Sequence, residues 1–271
     1  MPRNYLFQLV SRVIKALLAR LPDEGLQNLL IDAASTRALK LSPAKALKFL
    51  FGLDAALYPL QGLLAVEYDG GVHTKHRHTG YHEFFVRRVR KGERVLDIGC
   101  GIGALSFDLA EKSGANVSGI DLDPENIKIA RENYSHSKIV YQQGDVLTFS
   151  LDGAFDTIIL SNVLEHLPNR SQFLRETVER IRPSRILLRV PVFERDWRVP
   201  LKQELGIDYR LDDTHLTEYT LESFAAEMAA AALLVIHQEV RWGEIWAEAV
   251  PETSANSDLS KTVEKRHEAG C

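Results

Sequence analysis

The spacing of apolar residues divides the chain into a helical first part and an alternating second part. Leu6, Val10, Val13, Leu17 and Leu21 recur at helical intervals between Asn4 and Leu21, with Arg12, Lys15 and Arg20 among the polar positions, and predict an amphipathic helix. Two more helical segments are expected, Gly25 to Leu41 and Pro43 to Tyr68, the second broken near Gly52 and Pro59. Asp69-Gly70-Gly71 marks a boundary, and Phe84, Phe85 and Val89 predict a helix from about Gly80 to Arg90 that packs on a sheet.

From Val95 the pattern alternates. Apolar runs at 95–98, 117–120, 139–141, 155–160 and 186–190 read as strands, separated by helical stretches. One helix runs from Ala104 to Lys112. Another starts at Asp123-Pro124, an N-capping acid before a proline in the first helical position, and a third carries Phe173, Leu174, Val178 and Ile181 on one face. Strands alternating with helices predict a parallel sheet covered on both sides. A charged connection, Pro191 to Tyr219, leads to a helix over Leu221 to Ala232 capped by Thr220. Two apolar runs, Leu233 to Ile236 and Glu244 to Val250, follow, and their short separation suits an antiparallel hairpin at the sheet edge. From Glu252 the chain is polar and aperiodic, as expected of a disordered tail. The expected organisation is an N-terminal helical cap over 1–71, a main domain over 72–251 and a tail over 252–271.

Composition narrows the picture. With 45% hydrophobic residues in 271 the chain can fill a core, and a net charge of −4 gives no general attraction to nucleic acid, so none is expected as a partner. Of two cysteines, Cys100 lies in a glycine turn and Cys271 ends the chain, which suggests no disulfide framework and a cytoplasmic setting. Arg12, Lys15 and Arg20 interrupt the first apolar run before it reaches secretory or spanning length, and neither a signal peptide nor a membrane-spanning helix is expected. The basic first helix leaves peripheral membrane contact open beside its role as a cap. His73, His76, His78 and His82 fall within ten residues, yet no cysteine or carboxylate completes a ligand set, and Lys75 and Arg77 place positive charge among them. No metal site is expected.

The chemistry centres on Val95-Leu96-Asp97-Ile98-Gly99-Cys100-Gly101-Ile102-Gly103. A buried strand enters a turn with glycine at every second position and then a helix start, where unpaired N–H groups can receive a nucleotide. The turn by itself also fits the dinucleotide pattern through Gly99, Gly101 and Ala104.

Over roughly Thr79 to Val250 the sequence resembles a class I S-adenosylmethionine-dependent methyltransferase, similar to the ubiquinone- and menaquinone-biosynthesis type. Asp97-Ile98-Gly99-Cys100-Gly101-Ile102-Gly103 matches the family's first motif, and Asp121 matches the acid that ends its second strand. Gly144-Asp145-Val146 matches the adenine-side segment, and Ser161-Asn162-Val163-Leu164-Glu165-His166-Leu167 resembles the stretch after strand four. The resemblance implies a doubly wound, mostly parallel seven-stranded α/β sheet with a reversed last strand, the Rossmann-like methyltransferase fold. It implies S-adenosylmethionine as cofactor, held by Asp97, Gly99, Gly101, Gly103, Asp121, Leu122, Asp145, Val146 and Asn162. Asp121 would accept both ribose hydroxyls and Asp145 the adenine amine, while the Val146 N–H would donate to a ring nitrogen. Tyr81 is placed where it could face the cofactor.

Methyl transfer to a hydroxyl needs a base, and His166, just past strand four, and His215, in the loop before the last helix, are the candidates. Glu165 is a third, weaker because its pKa would have to be raised. The charged loop 191–219 favours a polar acceptor, small or lipid-linked. A non-catalytic module that binds the same nucleotide, or a nicotinamide-dependent oxidoreductase, are the competing readings.

Overall fold

The structure, a computed structural model, describes residues 15–148 and 153–252. Most of the helix expected over 4–21 and the tail expected over 252–271 lie outside the described residues. The chain divides into two units, one of residues 1–71 with 204–207 and one of 72–203 with 208–271.

The first unit holds helices Asp23–Ala38 and Pro43–Tyr68. The second runs unbroken through Gly52 and Pro59, where the sequence suggested a break. Proline's fixed φ is compatible with a helix and removes one backbone bond, a loss that the long leucine- and alanine-rich run sustains. Its 26 residues, with a mean hydropathy of 1.5 over the most apolar window, are long and apolar enough to cross a membrane by length and composition.

The second unit is built on one sheet of seven strands: β1 Arg94–Ile98, β2 Asn116–Asp121, β3 Ile139–Gln143, β4 Thr157–Ser161, β5 Arg185–Pro191, β6 Leu233–Arg241 and β7 Glu244–Pro251. Their order is β3-β2-β1-β4-β5-β7-β6. The first five are parallel, and β7 runs antiparallel between β5 and β6. The hairpin of β6 and β7 turns at Trp242-Gly243 and inserts its second strand beside β5, so the reversed last strand is internal and β6 forms the edge.

Period-two alternation splits the core into two layers. Leu96, Ile98, Ile158, Leu160, Ile186 and Leu188 face helices Arg170–Ile181 and Leu221–Ala230, while Val95, Ile159, Leu187 and Trp246 face Phe84, Phe85, Leu105 and Leu109. Helix ends follow local chemistry. Asp123 accepts the Glu125 N–H at 2.9 Å, and Thr220 and Ser223 form a reciprocal capping box. The helix expected over 80–90 is shorter, Tyr81–Val86, and is preceded by a single turn, Lys75–Thr79, with Gly80 in the left-handed region between them. The helix after the glycine turn is α-helical over Ala104–Asp108 and widens to a π-helix over Leu109–Ser113.

In this order the chain reverses direction across the sheet between β1 and β4. The carboxyl ends of those strands are where open parallel sheets hold ligands.

Candidate functional site

β1 delivers the glycine turn to that edge. Gly99 and Cys100 both donate to the Ile120 carbonyl, at 2.7 and 3.0 Å, which ties the turn to β2. Gly99, Gly101 and Gly103 all take positive φ. A Cβ at Gly103 would lie 2.6 Å from the Tyr141 hydroxyl and one at Gly99 2.5 Å from Val163, whereas one at Gly101 would meet nothing within 4 Å. Gly99 and Gly103 are therefore demanded by packing, and Gly101 faces open space. That space is part of a cavity of about 280 Å³ lined by Asp97, Gly99 to Ile102, His76, Tyr81, Ser161 and Arg189 among others.

Asp97 is fully buried beneath the turn and accepts the Ser106 hydroxyl at 2.5 Å. Burial outweighs that bond and, with Asp121 nearby, pushes its carboxyl up to about 7. Asp121 accepts the Gly101 N–H at 2.8 Å through one oxygen and the Asp123 N–H and Asn126 amide, at 2.9 and 3.2 Å, through the other. It anchors the turn as well as ending β2.

The predicted residues do not all converge. Leu122 is 67% exposed beside this edge. Asp145 is exposed and accepts the Leu147 N–H at 3.0 Å, and Val146 lines a separate groove with Phe173. Asn162 lies at φ 57° and accepts the Arg189 Nε–H at 3.0 Å.

Sequence reasoning passed over Arg189, Ser106 and Tyr141. Arg189 is the one charge inside the apolar core of β5, and a lone arginine in a buried strand was a usable signal. It is 4% exposed, with its guanidinium over the Tyr81 ring and 3.5 Å from Glu244. The histidine-rich stretch is absorbed locally: His76 bonds to Tyr81 and His82, and His82 to Asp108 at 2.7 Å. Burial, and then the charge of His82, drive the His76 pKa down to about 4, so it is neutral at pH 7.

Both base candidates gather with Glu165. The 3-10 turn Leu164–His166 follows β4, and the Glu165 carbonyl accepts N–H groups from Leu216 and Thr217, which fastens the loop carrying His215 over it. The His166 and His215 rings meet edge to face, 4.7 Å between centres. His166 Nδ1 pairs with the Thr214 hydroxyl and His215 Nδ1 with Glu218, each at 2.9 Å. Glu218 in turn is gripped by Arg195. Burial lowers the His166 pKa, helped by neighbouring His215. Glu165 is completely buried, neither carboxylate oxygen has a hydrogen-bond partner among the described residues, and burial pushes its pKa up to about 7. The condition that made it the weaker candidate is met by its surroundings.

Residues 95–184 match a family model described as a methyltransferase domain. The chain is 31% identical over 155 residues to 2-methyl-6-phytyl-1,4-hydroquinone methyltransferase of Synechocystis, covering 53% of this chain and 47% of that protein. It is 36% identical over 115 residues to the ubiquinone biosynthesis O-methyltransferase of Azorhizobium caulinodans, covering 41% and 45%. The chain thus spans less than half the length of these curated relatives. The structure of magnesium protoporphyrin IX methyltransferase from Synechocystis with bound SAH aligns with a TM-score of 0.51 at 20% identity, over 64% of this chain and 83% of that one. That likeness is one of fold.

Proposed function

We propose that this chain is a class I S-adenosylmethionine-dependent methyltransferase, as its methyltransferase-domain match and strand order support, and that it moves a methyl group from S-adenosylmethionine to a hydroxyl oxygen of a small or lipid-linked polar acceptor. The observation that carries the reading is the open cavity over Gly101, with the buried carboxyl of Asp97 beneath it and Asp121 at its rim.

S-adenosylmethionine supplies an electrophilic methyl on a sulfonium. The turn's backbone receives the methionyl carboxylate, and Asp97 and nearby carbonyls receive its ammonium. Asp121 takes the ribose hydroxyls. A carboxylate offers about four acceptor sites, and three are engaged with Gly101, Asp123 and Asn126, so ribose binding exchanges at least one of them. Leu122 and Val146 flank the adenine, Asp145 accepts from its amine, and Asn162, held by Arg189, borders the acceptor side.

The acceptor oxygen loses its proton at the cluster of Glu165, His166 and His215. Its electron pair forms the new O–CH3 bond while the S–CH3 pair stays on sulfur, leaving S-adenosylhomocysteine. Positioning across the two halves of the site supplies much of the rate. Support for a lipid-linked acceptor comes from helix Pro43–Tyr68, whose apolar length suits peripheral contact with a membrane together with the basic segment before it. One matched relative carries a phytyl-substituted hydroquinone in its name.

Calorimetric titration with S-adenosylhomocysteine tests the reading. Wild type should bind, and Asp121→Ala should weaken binding by about 2 kcal/mol, the range for hydrogen bonds to a charged group. A wild type that shows neither heat nor thermal stabilisation would sink it, and binding of NAD in its place would move the site to hydride chemistry.

A further inference from the structure

We propose that the buried guanidinium of Arg189, seconded by the Lys75 ammonium, is a carboxylate-binding site in the wall of the glycine-turn cavity, and that the methyl acceptor is a hydroxylic compound that also bears a carboxylate. This names the substrate class of the methyltransferase reading and rests on that reading.

Arg189 is 4% exposed and lines the cavity with Tyr81, Ser161 and the glycine turn. A cation so deeply buried has to be completed by acceptors or by opposing charge. Its protein partners do this at one atom. The Nε–H is donated to Asn162 at 3.0 Å, and Glu244 makes its nearest approach, 3.5 Å, to the same nitrogen. Glu244 is shared further, because it accepts the Trp246 indole N–H at 3.0 Å. The Tyr81 ring covers one face of the guanidinium, its centre 3.6 Å from Cζ. The terminal amino groups of the fork are thereby left toward the cavity, in an orientation that Tyr81 and Asn162 fix before any ligand arrives. Such a planar edge matches the two oxygens of a carboxylate, a bidentate fit that an ammonium group cannot make.

The charges around the fork select a singly charged ligand. Lys75, next to His76 in the chain, is close enough for the charges of Arg189 and Glu244 to act on it. Two cations set against the carboxylate of Glu244 leave this wall positive by a single charge, which suits a carboxylate better than a phosphate close to its doubly charged form. Arg189 is also within electrostatic reach of Glu165, in the cluster that receives the acceptor's proton. In the proposed arrangement the N–H groups of the turn take the cofactor's own carboxylate, and Arg189 is left for the acceptor. The acceptor's carboxylate is held and not methylated. Its hydroxyl gives the proton to the cluster and takes the methyl on oxygen, while the S–CH3 pair stays on sulfur.

The test is calorimetry on the full chain saturated with S-adenosylhomocysteine, comparing 3-hydroxybenzoate, 3-hydroxybenzyl alcohol and 3-hydroxyphenyl phosphate. The three share a ring and a hydroxyl and differ in the group offered to Arg189. Wild type should bind the carboxylate about tenfold or more tighter than the alcohol, and tighter than the phosphate. Arg189→Lys keeps the charge and loses the fork, and should cut the preference for acid over alcohol by about tenfold. Lys75→Met should cut it by about threefold, and both variants should keep S-adenosylhomocysteine affinity within about twofold of wild type. Lys75 lies on a turn without buried residues, so its variant decides the matter if Arg189→Lys does not fold. Equal binding of acid and alcohol, no binding of the acid, tighter binding of the phosphate, or a preference that the folded variants leave unchanged overturns the proposal. So does a loss of S-adenosylhomocysteine affinity with unchanged affinity for 5′-methylthioadenosine, which lacks the methionyl carboxylate, because Arg189 would then serve the cofactor. Normal nucleotide binding without an acid preference sinks this proposal alone, whereas a wild type that binds no S-adenosylhomocysteine sinks the methyltransferase reading with it.

Discussion

The guanidinium of Arg189 lies 3.6 Å from the centre of the Tyr81 ring, a cation set against an aromatic ring in the wall of the glycine-turn cavity. The same side chain donates to Asn162 and sits 3.5 Å from Glu244, so one buried charge from β5 links the segment after β4, the β7 strand and the helix before β1. Arg189→Met would leave Glu244 largely buried without its cation. Removing one partner of a buried pair costs about 3 kcal/mol, and urea unfolding should report a loss of that order with an unchanged m-value. Arg189→Lys should recover part of it. A loss below about 0.5 kcal/mol, as at an ordinary surface position, would show that the pair does not hold these elements together.

Two glycines of the turn should respond differently to the same added methyl. At Gly103 the Cβ would meet Tyr141 at 2.6 Å and Ala130 at 2.9 Å, on a backbone already at φ +85°. Overpacking and left-handed strain together should lower stability by about 3 kcal/mol. At Gly101 only the strain applies, about 1 kcal/mol, but the methyl would occupy the open cavity. Gly101→Ala should therefore stay folded and lose S-adenosylhomocysteine affinity out of proportion to its stability. Equal effects in chemical unfolding and in calorimetry would count against the cavity as the cofactor site.

Asp97 makes stability depend on pH. Its folded pKa is raised by burial from 3.8 to about 7, so between those values the native state keeps a proton that the unfolded chain has released. Stability from this group is greatest below pH 4 and is lost as pH rises toward 7. Asp97→Asn removes the slope. Relative to wild type the variant should gain about 3 kcal/mol between pH 5 and pH 8, read from denaturant midpoints across that range. Parallel pH profiles for the two proteins would refute the buried, protonated carboxyl.

The apolar helix Pro43–Tyr68 leads to a partition experiment. The full chain should float with vesicles that contain anionic lipid, and a triple change of Leu57, Leu60 and Leu64 to serine, three leucines near one face, should release it to the aqueous fraction. Wild type that stays in the aqueous fraction at low salt would remove the membrane from the functional reading.

The order of elements was legible because each rests on local periodicity. Strands with alternate or continuous apolar residues, caps at Asp123 and Thr220, and glycines at 99, 101 and 103 announce themselves within a few positions of the chain. Pro59 misled because proline's rule is statistical and a long apolar run can carry one lost bond. Part of the cavity wall was legible too: Asp97, Gly99 and Gly101 line the cavity together, with Asp121 bonded to the turn.

The sequence by itself determined the sheet's repeating unit and the turn that opens the cavity, since those depend on neighbours along the chain. Only the tertiary structure decided that Arg189 crosses from β5 to Tyr81, that Asp145 bonds to its own loop, and that Glu165 and His215, fifty residues apart, share one buried corner with His166. Burial and the meeting of distant side chains set their charge states, and both arise from strand order across the sheet, which no local pattern contains.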